Sequence, residues 1–327
     1  MKSEIISSSV SGELHALRAR AVVLDEPHKL CVRELDLTPP GPTDVVVEVE
    51  WSGISTGTER LLWSGQMPMF PGMGYPLVPG YESVGRITQA GSQVPMSPGT
   101  RVFVSGASCF DDVRGLFGGA ASRLVVPADK VIPIDETLEQ RGILLALAAT
   151  AVHAFNLDRA PELIVGHGVL GRLLARVAVA KGADAPMVWE IDEARCDGAV
   201  GYDVCHPEQD TRTDYTCAID VSGAPQALDT VMAHLARQGV VVLAGFYSAP
   251  VSFAFPPAFM REASIRIAAE WQPNDLLEAT ELVSSGALSL DGLITHQANP
   301  HDAPSAYRTA FNEPACLKMI LDWREVA

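Results

Sequence analysis

Positive charge is scarce in this sequence. Its 24 lysines and arginines stand against 40 aspartates and glutamates, and the formal net charge is −16 at neutral pH. A protein that binds the phosphate backbone of a nucleic acid needs a basic surface, so this balance argues against a nucleic-acid partner. The same deficit argues against docking on anionic membrane surfaces.

Paired cysteines and long apolar runs are missing too. The six cysteines form no Cys-x-x-Cys pair and no tight cluster, which is typical of core cysteines in a reduced chain. The longest apolar stretch, residues 142–155, is too short to cross a bilayer, and the polar N-terminus resembles no signal peptide. We therefore expect a cytoplasmic protein with no integral membrane segment.

The residues that are present fall into two parts with different periodicity. After a loose, flexible polar extension at residues 1–16, short strands broken by proline and glycine continue to about residue 134, as in a small β-barrel. From residue 162 to about 268 strands and helices alternate, which predicts a doubly wound parallel sheet of the Rossmann type. The fold class is therefore α/β. This order of segments implies that the C-terminal segment rejoins the barrel and leaves a cleft between two domains.

A glycine turn lies where one predicted strand passes into a helix. It consists of Gly166, His167, Gly168, Val169, Leu170 and Gly171. Glycines at this spacing allow a tight turn, a close approach of the backbone to a pyrophosphate, and close packing of helix on strand. The free N–H groups of the helix N-terminus then face the phosphates. The alternative is a glycine turn in some other α/β domain.

A carboxylate ends the next predicted strand. Glu190 follows Gly171 by 19 positions, about the separation at which dinucleotide folds place the acceptor for the adenosine ribose. A carboxylate there repels a 2′-phosphate, so the sequence predicts NAD rather than NADP. Arg195 lies five positions further on and could meet such a phosphate, but Glu190 and Asp192 weigh against that.

Several stretches of the chain resemble the medium-chain dehydrogenase/reductase superfamily over nearly the whole length. Besides the glycine turn they are residues 53–55 (Gly-Ile-Ser), 79–85 (Pro-Gly-Tyr-Glu-Ser-Val-Gly), 98–102 (Pro-Gly-Thr-Arg-Val), 117–121 (Phe-Gly-Gly-Ala-Ala) and 294–296 (Ile-Thr-His). The resemblance implies a GroES-like β-barrel catalytic domain at residues 17–145 plus 288–327 and a Rossmann NAD-binding domain at residues 146–287. It also implies an oxidoreductase that transfers hydride.

Three stretches carry a closer resemblance, at residues 51–60, 70–76 and 113–121. They resemble the branch whose members oxidise the C3 1-hydroxyethyl group of a bacteriochlorophyllide to acetyl, so the implied substrate is a large, flat, mostly apolar tetrapyrrole. A loop at residues 63–76, rich in Met, aromatic, Gly and Pro residues, is a candidate lid or substrate wall. Its alternatives are domain packing and subunit contact. The superfamily also implies a homodimer through the edge strand at residues 264–268.

The superfamily's catalytic zinc ligands are replaced in this chain. The resemblance aligns Ser55, Tyr81 and Ala146 with the three ligand positions, and none of them is a good zinc ligand. The four closely spaced cysteines of the structural zinc lobe are also absent. We therefore expect no metal, against the alternative that His153 and Cys109 build an unrelated site. Without zinc, a protein group must take the hydroxyl proton as hydride leaves.

Five residues are candidates for that proton transfer: Ser55, Thr58, Glu59, Tyr81 and His153. By resemblance Thr58 matches a proton-relay residue and Glu59 the acidic residue after it. Tyr81 replaces a metal ligand, and imidazole, as in His153, is the usual general base near neutral pH. Each has a structural alternative: a turn hydroxyl, a packed aromatic, a core histidine or, for Glu59, a partner of Arg60 or Arg86.

Further cofactor contacts are implied by the resemblance alone. Thr150 matches a threonine near the nicotinamide, and Lys318 matches a basic residue on the pyrophosphate. Two turns after strands would line the adenosine and carboxamide ends, and they contain Val221 and Ser222, and Gly245, Phe246 and Tyr247. Arg172 is either a second phosphate ligand or a solvated arginine. His167 is assigned no role beyond contact.

Two other functions fit parts of the pattern. Zinc-free members of the superfamily include quinone and enone reductases, but these usually prefer NADPH, which Glu190 disfavours. A nucleotide-binding protein without chemistry would keep the fold and would tolerate the loss of polar groups around the former metal position. The polar residues that remain there argue against that function.

Overall fold

The computed structural model describes residues 17–247 and 249–326, so the predicted extension at residues 1–16 lies outside the described residues. The first half of the chain forms nine strands and one short helix. They are β1 (Arg18–Glu26), β2 (Lys29–Asp36), β3 (Asp44–Ile54), α1 (Thr58–Ser64), β4 (Leu77–Val78), β5 (Ser83–Ala90), β6 (Arg101–Val104), β7 (Arg114–Gly115), β8 (Arg123–Pro127) and β9 (Val131–Pro133).

Strand β3 organises the barrel. Its sequence is dense in β-branched residues, and it pairs antiparallel with both β5 and β8. The smaller sheet, in the order β2-β1-β4-β7, covers the other side. Inward-facing residues of both sheets, such as Val22, Val46 and Leu124, are completely buried and form one core.

A 3₁₀ segment (Glu136–Leu144) leads from the barrel into the second half. That half contains α2 (Leu145–Asn156), β10 (Leu163–Val165), α3 (Val169–Ala180), β11 (Met187–Trp189), α4 (Glu193–Cys196), β12 (Asp203–Cys205), β13 (Tyr215–Asp220), α5 (Ala227–His234), β14 (Leu235–Leu243), α6 (Phe255–Arg261), β15 (Ser264–Ile267) and α7 (Pro273–Ser284). All neighbouring strands are parallel, in the order β12-β11-β10-β13-β14-β15. This is the order of dinucleotide-binding sheets, whose crevice opens where the order reverses, between β10 and β13.

The chain ends with β16 (His296–Ala298), α8 (Ala303–Asn312) and β17 (Met319–Asp322). Strand β17 lies antiparallel to β3, with Ile320 opposite Gly53, so the C-terminal segment completes the barrel sheet. This return places Lys318 and Tyr307 next to residues from the beginning of the chain.

The predicted fold class is confirmed: a β-barrel and a doubly wound parallel sheet. Helix α1 was not predicted, because it begins after Gly57 without a side-chain cap and leads into a segment rich in glycine and proline. No helix among the described residues is long and apolar enough to cross a membrane.

Candidate functional site

The glycine turn connects β10 to α3, and its three glycines meet different surroundings. Gly166 has φ +103°, and a Cβ there would lie 3.1 Å from Ser222 Cα. A Cβ on Gly171 would lie 1.9 Å from the Gly166 carbonyl oxygen, which no side chain permits. A Cβ on Gly168 would have none of the described atoms within 4 Å, so the backbone is open there. These are the tight turn, the helix contact and the open approach that a pyrophosphate requires.

The Glu190 carboxylate is tied to the backbone of this turn. Oε2 accepts from His167 N at 2.9 Å, and Oε1 accepts from Ile191 N at 2.8 Å and Asp192 N at 3.0 Å. A carboxylate has about four acceptor sites, so about one stays free for a ribose hydroxyl. These backbone donors hold the side chain, which is 8% exposed, at the carboxyl end of β11.

The His167 ring is fully buried. Nδ1 lies 2.6 Å from the Arg195 carbonyl oxygen, so it carries the hydrogen, and Nε2 accepts from the Tyr202 hydroxyl at 2.8 Å. Burial lowers the pKa of His167 to about 4, which keeps the ring neutral. The predicted cofactor contact is therefore restricted to its backbone.

Neither prediction for Arg172 is right, since the side chain is buried and binds carbonyl groups. Nε donates to His167 O at 3.0 Å, and Nη2 donates to Arg195 O at 2.8 Å and Asp197 O at 2.7 Å. The Arg195 guanidinium itself donates to Pro314 O in the C-terminal segment, at 3.0 Å. Arg172 and His167 together fix the loop that follows Glu190.

The two further turns predicted for the cofactor lie beside the glycine turn. A Cβ on Gly245 would lie 2.9 Å from Gly223 N, so these backbones pack against one another. Ser222 donates its N–H and its hydroxyl to Asp220, at 2.8 and 2.7 Å, while Val221 is partly buried. Phe246 is 50% exposed. The sequence-based role of Tyr247 needs correction, because its hydroxyl donates to Asp220 at 2.8 Å and its side chain packs on the sheet core.

On the barrel side, three hydroxyl groups meet at the end of β3 and the start of α1. The Tyr81 hydroxyl lies 2.6 Å from Ser55 Oγ, and the nearby Thr58 side chain acts to lower the pKa of Tyr81. The Tyr81 ring packs edge-on against Phe117, with centroids 5.4 Å apart. Burial, reinforced by the Glu82 charge, raises the pKa of Tyr81 well above its usual value. Tyr81 therefore keeps its proton at neutral pH and acts as a hydrogen-bond donor rather than a base.

Glu59 is buried directly behind these hydroxyl groups. Oε1 accepts from Ser55 N at 3.0 Å, and Oε2 accepts from the Tyr307 hydroxyl of α8 at 2.7 Å. The arginine partners considered for it are wrong: Arg86 binds Glu50 and Glu136, and Arg60 forms no ion pair among the described residues. Burial raises the pKa of Glu59 from 4.5 to about 7.

Glu59→Gln is expected to change how stability depends on pH. Because the folded-state pKa is raised, the contribution of this group is fully present below about pH 4.5 and is lost as pH rises through about 7. In the wild type the free energy of unfolding falls by on the order of 3 kcal/mol over this range. Glu59→Gln should show no such fall, because glutamine does not titrate. Urea unfolding at pH 5 and pH 8 measures it, with Glu208→Gln as a control because that side chain is 88% exposed. Equal pH dependence in wild type and Glu59→Gln would contradict the assignment.

The prediction that Lys318 binds the pyrophosphate is corrected by its position. The ammonium is 1% exposed and donates to both Glu82 carboxylate oxygens, at 3.0 and 2.7 Å, and to Ile54 O at 3.2 Å. Lys318 precedes β17, and the pairing of β17 with β3 brings it to Glu82. Lys318 therefore holds a buried ion pair behind the hydroxyl groups and has no open side toward a phosphate.

His153 makes no hydrogen bond with the three hydroxyl groups. Its Nδ1 lies 2.9 Å from Asp275 Oδ2, and that same oxygen accepts from Gln272 N at 2.8 Å in the capping box of α7. Thr150 lies one turn earlier on α2 and donates to the Ala146 carbonyl at 2.9 Å. His153 therefore joins α2 to the start of α7.

The donor groups at the superfamily's zinc positions do not fit the metal. Ser55 and Tyr81 bind one another, Ala146 offers no ligand, and Lys318 occupies Glu82. Cys109 is buried in the barrel core, where burial raises its pKa to about 11. Across residues 17–247 and 249–326, no group of three His, Cys, Asp or Glu side chains is arranged to hold a metal ion.

Sequence reasoning missed four residues of this region: Phe117 as the ring beside Tyr81, Tyr202, Asp275 and Tyr307. Tyr307 lies 248 positions from Glu59, and Asp275 lies 122 from His153. Phe117 lies in the stretch at residues 113–121, whose resemblance to the dehydrogenase branch was the one sequence feature that pointed to it. The others have no local pattern that distinguishes them from core or surface residues.

Comparison with known proteins agrees with this architecture. Residues 41–136 match the family described as alcohol dehydrogenase GroES-like domain. The structure resembles acetophenone reductase from Geotrichum candidum in complex with NAD, with a TM-score of 0.79 at 17% identity, covering 93% of this chain and 97% of the other.

Two curated relatives are similar over nearly their whole length, and both are named 2-desacetyl-2-hydroxyethyl bacteriochlorophyllide A dehydrogenase. The protein of Rhodobacter capsulatus is 55% identical over 312 residues, covering 94% of this chain and 99% of its own. The protein of Cereibacter sphaeroides is 53% identical over 318 residues, covering 95% and 100%. The chain therefore belongs to the family that these two dehydrogenases represent, within the medium-chain dehydrogenase/reductase superfamily.

Proposed function

We propose that this chain oxidises the C3 1-hydroxyethyl group of a bacteriochlorophyllide to acetyl, with NAD as hydride acceptor and without zinc. The observation that carries the proposal is the group of three hydroxyls, Ser55, Thr58 and Tyr81, where other members of the superfamily hold their metal. The names of the two relatives support the substrate. The open glycine turn and the Glu190 carboxylate support the cofactor.

NAD, when bound, supplies the hydride acceptor, and this chain's residues handle the hydroxyl group of the substrate. Tyr81 is neutral, so its hydroxyl donates to the substrate oxygen while Ser55 orients it. As the C–H bond breaks and hydride leaves, the substrate hydroxyl gives its proton to a neighbouring hydroxyl oxygen, and that hydroxyl gives up its own proton to the Glu59 carboxylate, which becomes neutral. An ionised Glu59, bound to the N–H of Ser55, is a proton acceptor beside the hydroxyls, whereas a protonated Glu59 is not.

Turnover of a 1-hydroxyethyl bacteriochlorin with NAD, read from the absorbance shift of the pigment, tests the proposal. Metal analysis of the purified protein accompanies it. The expected result is formation of the acetyl pigment by protein without stoichiometric zinc. Binding of NAD with no turnover would refute the assigned reaction, and one zinc per chain in active protein would refute the metal-free mechanism.

Glu190→Gln is expected to reduce kcat/KM for NAD by about 10- to 100-fold, because hydrogen bonds to a charged group contribute about 1.5–3 kcal/mol. Discrimination against NADP should fall as well, since the charge that repels a 2′-phosphate is gone. Initial rates with both cofactors measure this. Asp214→Asn is the control, because that carboxylate is 77% exposed and precedes β13, at the opposite end of the parallel strands from Glu190. An unchanged NAD to NADP ratio in Glu190→Gln would contradict the role.

A homodimer through β15 is also proposed. This strand lies at the edge of the parallel sheet and is exposed along its whole length, with Ile267 66% exposed. Phe255, Phe259 and Met260 of α6 extend the apolar surface beside it. An unpaired apolar edge is a template for pairing with a second chain.

Sedimentation velocity at micromolar concentration should show a dimer for the wild type and a monomer for Ile267→Lys. The substituted lysine places a charge on the proposed interface, at the end of β15, as edge strands that avoid pairing do. Leu277→Lys is the control, since that exposed leucine lies on α7. A monomeric wild type would refute the dimer.

We also propose that the protein is located in the cytoplasm. All six cysteines are free, and Cys109, Cys217 and Cys316 are buried. Free thiols in this number are typical of a reducing compartment.

We assign the walls of the pigment site to two neighbouring segments, the loop at residues 66–76 and the stretch at residues 113–121. The loop predicted at residues 63–76 begins only at residue 66, because α1 runs to Ser64 and Gly65 caps it. Met69 and Phe70 of this loop are 80% and 38% exposed, and Phe117 is 37% exposed. Met73 and Leu116, one from each segment, pack on the same small core cluster under α1. Phe117 lies beside Tyr81, and exposed apolar side chains there and on the neighbouring loop suit a flat apolar macrocycle.

A further inference from the structure

Arg114 lies where these two wall segments meet. It begins β7, which runs parallel to β4, and its N–H donates to Pro76 O at 3.2 Å. The guanidinium lies against Gly74, where a Cβ would be 3.1 Å from Arg114 Cζ. Its Nη1 donates to Tyr75 O at 3.2 Å. Arg114 is therefore held by the backbone of the opposite segment.

The remaining donors of Arg114 are available to a ligand. A guanidinium has five N–H donors, and this one uses one of them on Tyr75. Among the described residues, no carboxylate lies within 4.0 Å of it, in a chain whose net charge is −16. An exposed arginine without an acidic partner is a forked donor for an external carboxylate.

Arg114 is also at a suitable distance from the reacting end of the site. Phe117, whose ring packs on Tyr81, follows it by three positions, so their Cα atoms lie at most about 10 Å apart. Arg60 is a second exposed arginine, and it follows Thr58 by two positions on α1. Residues two apart on a helix do not share a face, so Arg60 and Thr58 lie on different faces of α1. Of these two arginines, Arg114 is the one held by the loop at residues 66–76 and three positions before Phe117, the ring beside Tyr81.

We propose that Arg114 binds the ionised propionate side chain of the bacteriochlorophyllide and so orients the macrocycle with its hydroxyethyl group toward Tyr81. This inference rests on the proposed function. A bacteriochlorophyllide is the free acid of the pigment, and its carboxylate approaches a strongly acidic protein. A local cation therefore decides whether and where it docks. Esterified pigment lacks this charge and gains nothing from Arg114.

The test compares a 1-hydroxyethyl bacteriochlorin as the free acid and as its methyl ester. For the acid, Arg114→Gln should raise KM by about 10- to 100-fold and leave kcat nearly unchanged, since the residue does not touch the reacting atoms. For the ester, wild type and Arg114→Gln should have the same KM. Arg114→Lys should recover part of the loss. Arg60→Gln removes the same charge from the other face of α1 and should leave both substrates unaffected.

Two results would overturn the proposal: an equal effect of Arg114→Gln on acid and ester, or an equal effect of Arg60→Gln and Arg114→Gln on the acid. If wild type turns over neither pigment, the proposed function fails. Absorbance titration of pigment binding then still decides whether Arg114 distinguishes acid from ester. If Arg114→Gln does not fold, the preference of wild type for the acid and the behaviour of Arg114→Lys decide the question.

Discussion

Tyr81→Phe is expected to lower kcat by a factor of about 10²–10⁴, the usual contribution of a positioned proton-transfer group, while KM for NAD changes little. The variant keeps the ring and its packing on Phe117, and it removes only the hydroxyl that lies 2.6 Å from Ser55 Oγ. The substrate oxygen then loses its donor and its connection to the other hydroxyl groups. Pre-steady-state measurement of pigment oxidation separates this chemical step from product release.

Ser55→Ala provides a second measurement of the same unit. If Ser55 and Tyr81 act together, the double variant should be little worse than the poorer single variant, because groups in one hydrogen-bonded unit are not additive. Tyr215→Phe is the matched control: its hydroxyl donates to Asp210 at 2.7 Å in the other half of the chain. A Tyr81→Phe enzyme with more than a third of wild-type kcat would refute the hydroxyl mechanism.

Lys318→Met is expected to lower the free energy of unfolding by about 3–5 kcal/mol, the cost of leaving one partner of a buried ion pair without the other. Glu82 is completely buried, and Lys318 supplies two hydrogen bonds to its carboxylate. Removing the ammonium leaves that charge in the barrel core behind Ser55. Urea unfolding followed by tryptophan fluorescence gives the midpoint and slope for each variant.

The double variant Lys318→Met, Glu82→Leu should recover most of that loss, because an apolar pair of similar volume carries no unpaired charge. Arg324→Met is the surface control: its pair with Asp322 leaves the arginine side chain 52% exposed, so a change of about 0–1 kcal/mol is expected. If Lys318→Met lowers the free energy of unfolding no more than Arg324→Met does, the buried pair does not have the expected effect on stability.

The cofactor half of the site follows closely from short-range sequence features. The glycine turn lies between β10 and α3 as its pattern predicts, and Glu190 ends β11. Both depend on local rules: a positive φ, the absence of a Cβ, and a carboxylate at the end of the next strand.

The roles of individual side chains around the glycine turn were predicted less well than the turn itself. His167, Arg172 and Tyr247 lie in or beside the predicted cofactor turns, yet their polar groups bind the protein itself. The direction of a side chain at a turn depends on which neighbouring segment offers a partner. Arg172, for example, turns inward because the carbonyl groups of Arg195 in α4 and of Asp197 directly after it lie within its reach.

The sequence by itself determined the α/β class, the glycine turn and the position of Glu190 after β11, because each depends on neighbouring residues. Only the tertiary structure decided what supports the three hydroxyl groups. Tyr307 reaches Glu59 across 248 positions, and Lys318 reaches Glu82 across 236. Both contacts exist because the C-terminal segment returns to pair β17 with β3. Pairing of that kind follows from burial of the whole sheet, which leaves no local signal in the chain.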